Sequence, residues 1–281
     1  MNIFKSLLVI VVFASSLTTF TAKAGLINFG NADRYTMAVG GVAGSLTLGS
    51  EADIHGNVGS SWYIAMSPLT QVHGDACASA INFGPGAVID GISGITSACS
   101  DYSSLSNSIL LASEQAAALN GENKGDITSN TVLYASYQDA YAVGKLTLAT
   151  GEILTVVGGI NDSVVINVAD IASIGSGAAI KLEGGILASN VVFNFLATAF
   201  ASDFSFGGAQ ISGTYISNTR SFQLGDGAIL NDARFYSNHS IVANVQSVKY
   251  SPSVEVPEPI TLLLMLAGVF VLLMRTNLKH K

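Results

Sequence analysis

One short phrase recurs along the chain. LTLGSEADIHG (46–56), INFGPGAVIDG (81–91), FSFGGAQISG (204–213) and FQLGDGAILND (222–232) each set two apolar residues about one small or polar residue. A glycine, a turn, an alanine, an aliphatic residue and a turn former follow; SPLTQVHG (67–74) and IGSGAAIKLEG (174–184) are looser copies. Apolar and polar positions alternate, which is the period of a strand with one buried face. Glycines fall where the chain must turn sharply, often at positive φ. Ile54, Val72 and Ile89 stand 18 and 17 residues apart, Gly56, Gly74 and Gly91 keep the same step, and Gly207 and Gly225 are again 18 apart. This period predicts a mainly β chain wound as a β-solenoid (β-helix). Its coils would have near-constant length and stack about 4.8 Å apart, with inward ladders and outward columns. A β-sandwich also has frequent short strands but does not require constant phase between them.

Residues 101–121, DYSSLSNSILLASEQAAALNG, break the pattern. Leu105, Ile109, Ala112, Ala116 and Leu119 fall at helical spacing, Ser103 or Ser104 stands at the start as a cap, and Asn120-Gly121 is a stop. A long α-helix near 102–119 is therefore expected, its apolar stripe packed on the flank or open end of the solenoid, where it would shield strand edges. Beyond it, VLYASYQDAYAVGKLTL, GEILTVVGGINDSVVINVADI and NVVFNFLATAFASDFSFGG return to β character.

The two ends carry different information. Residues 1–24 run from Lys5 through the apolar stretch Leu7 to Phe13 to Ala22-Lys23-Ala24, the order of a cleavable secretory signal helix. At the other end a linker, 251–259, ends in Pro257, Glu258 and Pro259; a charge-free apolar segment, 260–274, follows, and then a basic tail, 275–281, with Arg275, Lys279 and Lys281. Fifteen apolar residues make a thin transmembrane helix beside the usual span of about 20. The basic tail marks the cytoplasmic side and leaves everything before Pro257 outside. The body is then 25–250, large enough for one core.

Five of the 12 basic residues and two of the 19 acids, Glu255 and Glu258, belong to these end segments, leaving 7 to set against 17. Such a surface repels nucleic acid and suits cations, neutral glycans or solid surfaces. Cys77 and Cys99 are the only cysteines. In an oxidising compartment an even count favours one disulfide, worth roughly 3 kcal/mol; a thiol nucleophile or metal pair is the competing reading, with no CxxC to support it.

The C-terminal segment resembles the PEP-CTERM sorting signal of exported bacterial proteins, through Pro257, Glu258, Pro259, the apolar helix and the basic terminus led by Arg275. The resemblance implies a Gram-negative bacterium, transient anchoring in the inner membrane, and an exosortase-type partner that cuts near the motif. The body would be left at the cell surface, in the outer envelope or in the extracellular matrix. Across residues 35–245 the Gly-rich opening repeat, the helix, VVINVADI (164–171) and VVFNF (191–195) resemble the choice-of-anchor A family, whose surface domain is joined to interchangeable anchors. The same layout is similar to ice-binding adhesion domains. None of these likenesses brings a catalytic residue.

In solenoid register His55, His73 and Asp90 occupy one position per coil, and Asn57 and Asp75 form the next outward column. Two readings are open: solvent-facing wall residues, or a surface metal site, since stacked side chains about 4.8 Å apart reach a shared cation and two His with a carboxylate suit zinc or copper. GDGAILND offers Asp226 and Asp232 as oxygen ligands but lacks the alternating carboxylates of a calcium loop. There is no G-x-S-x-G, HExxH or Walker-type loop, so neither catalysis nor a cofactor is expected. The chain reads as an exported, non-catalytic surface or matrix protein, structural or adhesive, associated with biofilm or exopolysaccharide. Ice binding is one alternative, opposed by the mixed column Asp53, Gln71 and Val88. A carbohydrate-active enzyme on a β-helix is the other.

Overall fold

Among the described residues the alternation of apolar and polar residues becomes twenty-one strands, every one of them paired in parallel, and one α-helix. The computed structural model describes residues 26–94, 99–197 and 203–249. The signal at 1–24, the linker with Pro257, Glu258 and Pro259, the apolar segment 260–274 and the tail from Arg275 lie outside them.

Three walls surround one core. The first wall runs through 139–143, 164–168, 191–195, 214–217, 233–237, 37–39, 57–60 and 76–77. The second runs through 146–148, 172–174, 204–206, 222–224, 241–243, 46–48, 63–66 and 80–83. The third runs through 131–134, 153–157, 179–183, 210–211, 229–231, 247–249, 53–55, 71–73 and 88–89. Inside, Phe193, Phe195, Phe204, Phe206, Tyr215, Phe222 and Phe235 pack ring against ring, as in Phe195–Phe204 at 4.6 Å and Tyr215–Phe235 at 4.7 Å. Burying each such ring contributes about 1.5–3 kcal/mol.

The expected β-solenoid with equal coils in chain order is corrected by these pairings. Long strands such as Gln210–Ser217 and Phe222–Ser237 bend from one wall into the next, and the sheet closes on itself as a parallel seven-strand β-barrel with extra strands. Nor is the step constant: His55 and His73 are 18 residues apart, but the paired Asn167 and Asn194 are 27 apart and Ser173 and Ser205 are 32 apart. Spatial order also departs from chain order. The strand Tyr35–Val39 sits between Asn57–Ser60 and Phe222–Ser237, so the N-terminal turns grow from the face on which the C-terminal strands end. Local spacing cannot reveal this, because it reports only neighbouring turns. Ile54, Val72 and Ile89 do pair with one another in the third wall.

The helix makes that re-entry feasible. It spans Leu105–Ala117, shorter than the 102–119 expected, because Tyr102–Ser104 form a 3-10 turn. Ser104 caps nothing: its hydroxyl donates to the Asp101 carbonyl at 2.7 Å. Leu105, Ile109, Ala112 and Ala116 are buried against the first wall, with Leu119 partly buried beside them. Thirteen residues rise about 20 Å, close to the about 19 Å of four strand spacings. The observed contacts agree, since Ser106 accepts from Asn238 beside 233–237 and Ala116 accepts from Asn167 three strands away, about 15 Å of helix against about 14 Å of sheet. The helix thus returns the chain past its own start to the far end. Among the described residues no helix is long and apolar enough to cross a membrane.

Buried polar groups fix this docking. Asn194 Nδ2 donates to the Ser113 carbonyl at 3.1 Å and to Asn167 Oδ1 at 2.9 Å, while the Ser113 hydroxyl donates back to Asn194 Oδ1 at 2.8 Å. These are the central asparagines of VINV and FNF. Each is buried and satisfied, which specifies one helix position rather than an apolar slide. Cys77, on the same outward column, is disulfide-bonded to Cys99 and ties the segment entering the helix to the wall.

Candidate functional site

The first wall is covered by the helix, so the two exposed walls carry what the protein presents. On the second wall the triplets L-T-L, F-S-F and F-Q-L bury their outer residues and turn the middle one outward. The resulting column is Thr147, Ser173, Ser205, Gln223, Val242, Thr47, Ala65 and Asn82. None of the eight is charged, none is buried, and no register shift interrupts them. Eight strands at this spacing make a column about 34 Å long. Beside it Ala149, Gly175, Gly207, Gly225, Asn244, Gly49, Ser67 and Gly84 line one edge, five of the eight being glycine. The close stacking there needs glycine: a Cβ on Gly84 would stand 2.5 Å from the Ser67 carbonyl carbon. The result is a long uncharged column, bordered on the same wall by Lys145 and by Asp203, which accepts from Gln223 Nε2 at 3.3 Å.

The third wall has the opposite chemistry. Its outward positions include Lys181, Glu183, Gln71, Asp53, His55 and His73. Asp53, Gln71 and Val88 share one column, and His55 and His73 pair in the next with Asp90 following. The imidazoles of His55 and His73 stack with centroids 4.6 Å apart. Between them stands Asp53, with Oδ2 3.2 Å from His55 Nε2 and Oδ1 2.9 Å from His73 Nε2. Asp90 Oδ2 lies 2.5 Å from His73 Nδ1. That hydrogen bond raises the His73 pKa above its ordinary value; slight desolvation opposes it and the charges of Asp90 and Asp53 add to it. One potential ligand atom from each of Asp53, His55 and His73 falls within 4.8 Å of the others. Asp53 Oδ1 is closed off from solvent and accepts no well-aligned hydrogen bond, short as its distance to His73 is. Sequence reasoning thus paired the two histidines but missed Asp53, whose column reads as mixed until side chains reach across it.

The remaining polar candidates serve the frame. Asn57 Oδ1 accepts from the Asp75 amide and Asp75 Oδ1 from the Ile92 amide, both at 2.9 Å, so this column closes a corner turn by turn. At the same corner a Cβ on Gly91 would meet the Gly74 carbonyl oxygen at 2.6 Å. Asp226 lines a corner cavity of about 630 Å³ with Glu51, Ser50 and Asn244; Asp232 is not among its lining residues.

No protein-family model matches the sequence, and no curated protein matches it. The fold is similar to solved ice-binding proteins. One from the Antarctic ascomycete Antarctomyces psychrotrophicus has a TM-score of 0.62 at 16% identity, covering 82% of this chain and 100% of that one. One from an Arctic yeast has 0.59 at 20% identity, covering 84% and 99%. One from an Antarctic Flavobacteriaceae bacterium has 0.58 at 17% identity, covering 86% of this chain and 52% of that one. At these identities the likeness concerns the fold.

Proposed function

We propose that this is an exported, non-catalytic ice-binding protein and that the second wall is its ice-facing surface. The observation that carries the reading is the uninterrupted eight-residue column with its glycine edge. Adsorption to a crystal sums many weak contacts, so it needs a level and rigid surface more than any strong single group. Parallel pairing supplies a repeat of about 4.8 Å, and aromatic packing behind the wall keeps it from yielding. Short hydroxyl, methyl and amide groups hold ordered water without the strong hydration of a charge. The likeness of the fold to ice-binding proteins supports the same reading and ranks it above a purely structural matrix role. The disulfide suits an oxidising compartment outside the cytosol.

The sorting signal read at 257–281 gives this surface a place to work: a cell surface or exopolysaccharide matrix reached through an exosortase-type enzyme, where the wall would hold ice to the cell or its matrix. Thermal hysteresis and ice-crystal shaping by the purified protein test the function. Growth of unshaped crystals at the equilibrium freezing point would reject it. Mass spectrometry of medium and membrane fractions tests the sorting, which fails if the apolar C-terminal segment is intact in both.

A further inference from the structure

We infer that Asp53, His55 and His73 form a binding site for a borderline divalent transition metal, with Zn²⁺ the best fit. Two imidazole nitrogens and a carboxylate are the donor set that such a cation prefers over Mg²⁺ or Ca²⁺, which take oxygen. Geometry agrees. A tetrahedral ion with bonds of about 2.05 Å separates its ligand atoms by about 3.3 Å. Asp53 Oδ2 stands 3.2 Å from His55 Nε2 and its Oδ1 2.9 Å from His73 Nε2, and both rings turn Nε2 toward this carboxylate. One ligand atom from each of the three residues lies within 4.8 Å of the others, so small side-chain rotations bring them onto one ion.

Asp90 has a separate task. Accepting the Nδ1–H of His73 at 2.5 Å, it leaves the Nε2 lone pair directed at the cluster, the carboxylate–histidine–metal arrangement of built sites. Asp53 Oδ1 supplies an independent sign: it is enclosed yet lacks an aligned donor, which a cation would satisfy. The three ligands come from adjacent strands, Asp53–His55 and Gln71–His73, whose pairing fixes their spacing before any ion arrives. Partial exposure of both histidines leaves the fourth position to water. A bound ion would therefore tie two neighbouring turns together. The site is on the third wall and does not depend on what the second wall binds.

Isothermal titration of the full chain, prepared without a histidine tag, with ZnCl₂ tests this. One Zn²⁺ per chain is expected, undisplaced by excess Mg²⁺. His55→Ala and His73→Ala should each remove the binding, and Asp90→Asn should weaken it about tenfold. Co²⁺ added to the unsubstituted protein should give the strong visible bands of a four-coordinate ion, a readout that no variant's folding affects. Absence of Zn²⁺ binding, equal displacement by Mg²⁺, an unchanged isotherm in His73→Ala, or a Co²⁺ spectrum like that of the free aquo ion would each overturn the site.

Discussion

The two exposed walls are made of the same parts and present opposite surfaces. Both run through eight or nine parallel strands, and both bury alternate aliphatic or aromatic residues. On the second wall the central outward column is uncharged from Thr147 to Asn82, with Lys145 and Asp203 at its border. On the third they change from turn to turn, from Lys181 and Glu183 to Asp53, His55 and His73. Burial therefore constrains only the inner face. The outer face is free, and uniformity along 34 Å or so of it calls for a cause beyond stability. The variety of the third wall calls for none, except where Asp53, His55, His73 and Asp90 converge.

Placing bulk on each wall is the strongest way to break this contrast. Thr47→Tyr combined with Ser205→Tyr should abolish thermal hysteresis, whereas Lys181→Tyr on the third wall should leave it unchanged. Equal loss on both walls would dissolve the distinction. The covered first wall supplies a reference. Serine at both Cys77 and Cys99 should lower the urea-unfolding free energy by about 3 kcal/mol while the folded fraction keeps its hysteresis. A loss of specific activity would mean that the helix side shapes the second wall. Next in size, Asn194→Ala should cost about 2 kcal/mol, because Ser113 and Asn167 lose partners in a dry interface. A change below about 0.5 kcal/mol would remove the asparagines as the device that sets the helix. The smallest effect sharpens the comparison: Val242→Thr should move stability by less than about 0.5 kcal/mol and leave hysteresis at least as large as before. A fall in hysteresis would show that a methyl surface, not a hydroxyl one, is needed there.

Much of this was readable before any fold. The triplets L-T-L, I-N-F, F-S-F and F-Q-L already contain Thr47, Asn82, Ser205 and Gln223, the middle residues of the second wall. The mixed column of Asp53, Gln71 and Val88, which stood against ice binding, belongs to the third wall and leaves the second uncharacterised. The stripe of Leu105, Ile109, Ala112 and Ala116 placed the helix, while its shorter span followed from the 3-10 turn at Tyr102–Ser104. The Asn167–Asn194 ladder was visible only as two soft motifs, since a buried amide looks like any other until its partners on the helix are in place.

Residue order by itself determined which side chains face inward, where turns need glycine, and that His55 and His73 stack, because all of these depend on alternation or on one step of 18. Only the tertiary structure decided which turns adjoin. Thr47 pairs with Val242 across almost the whole described chain, and Tyr35–Val39 enters between strands from opposite ends of it. A parallel strand edge accepts any strand of matching period, so backbone hydrogen bonds do not choose among candidates. The choice is made by the helix, whose length and buried asparagines carry the chain back to one particular end.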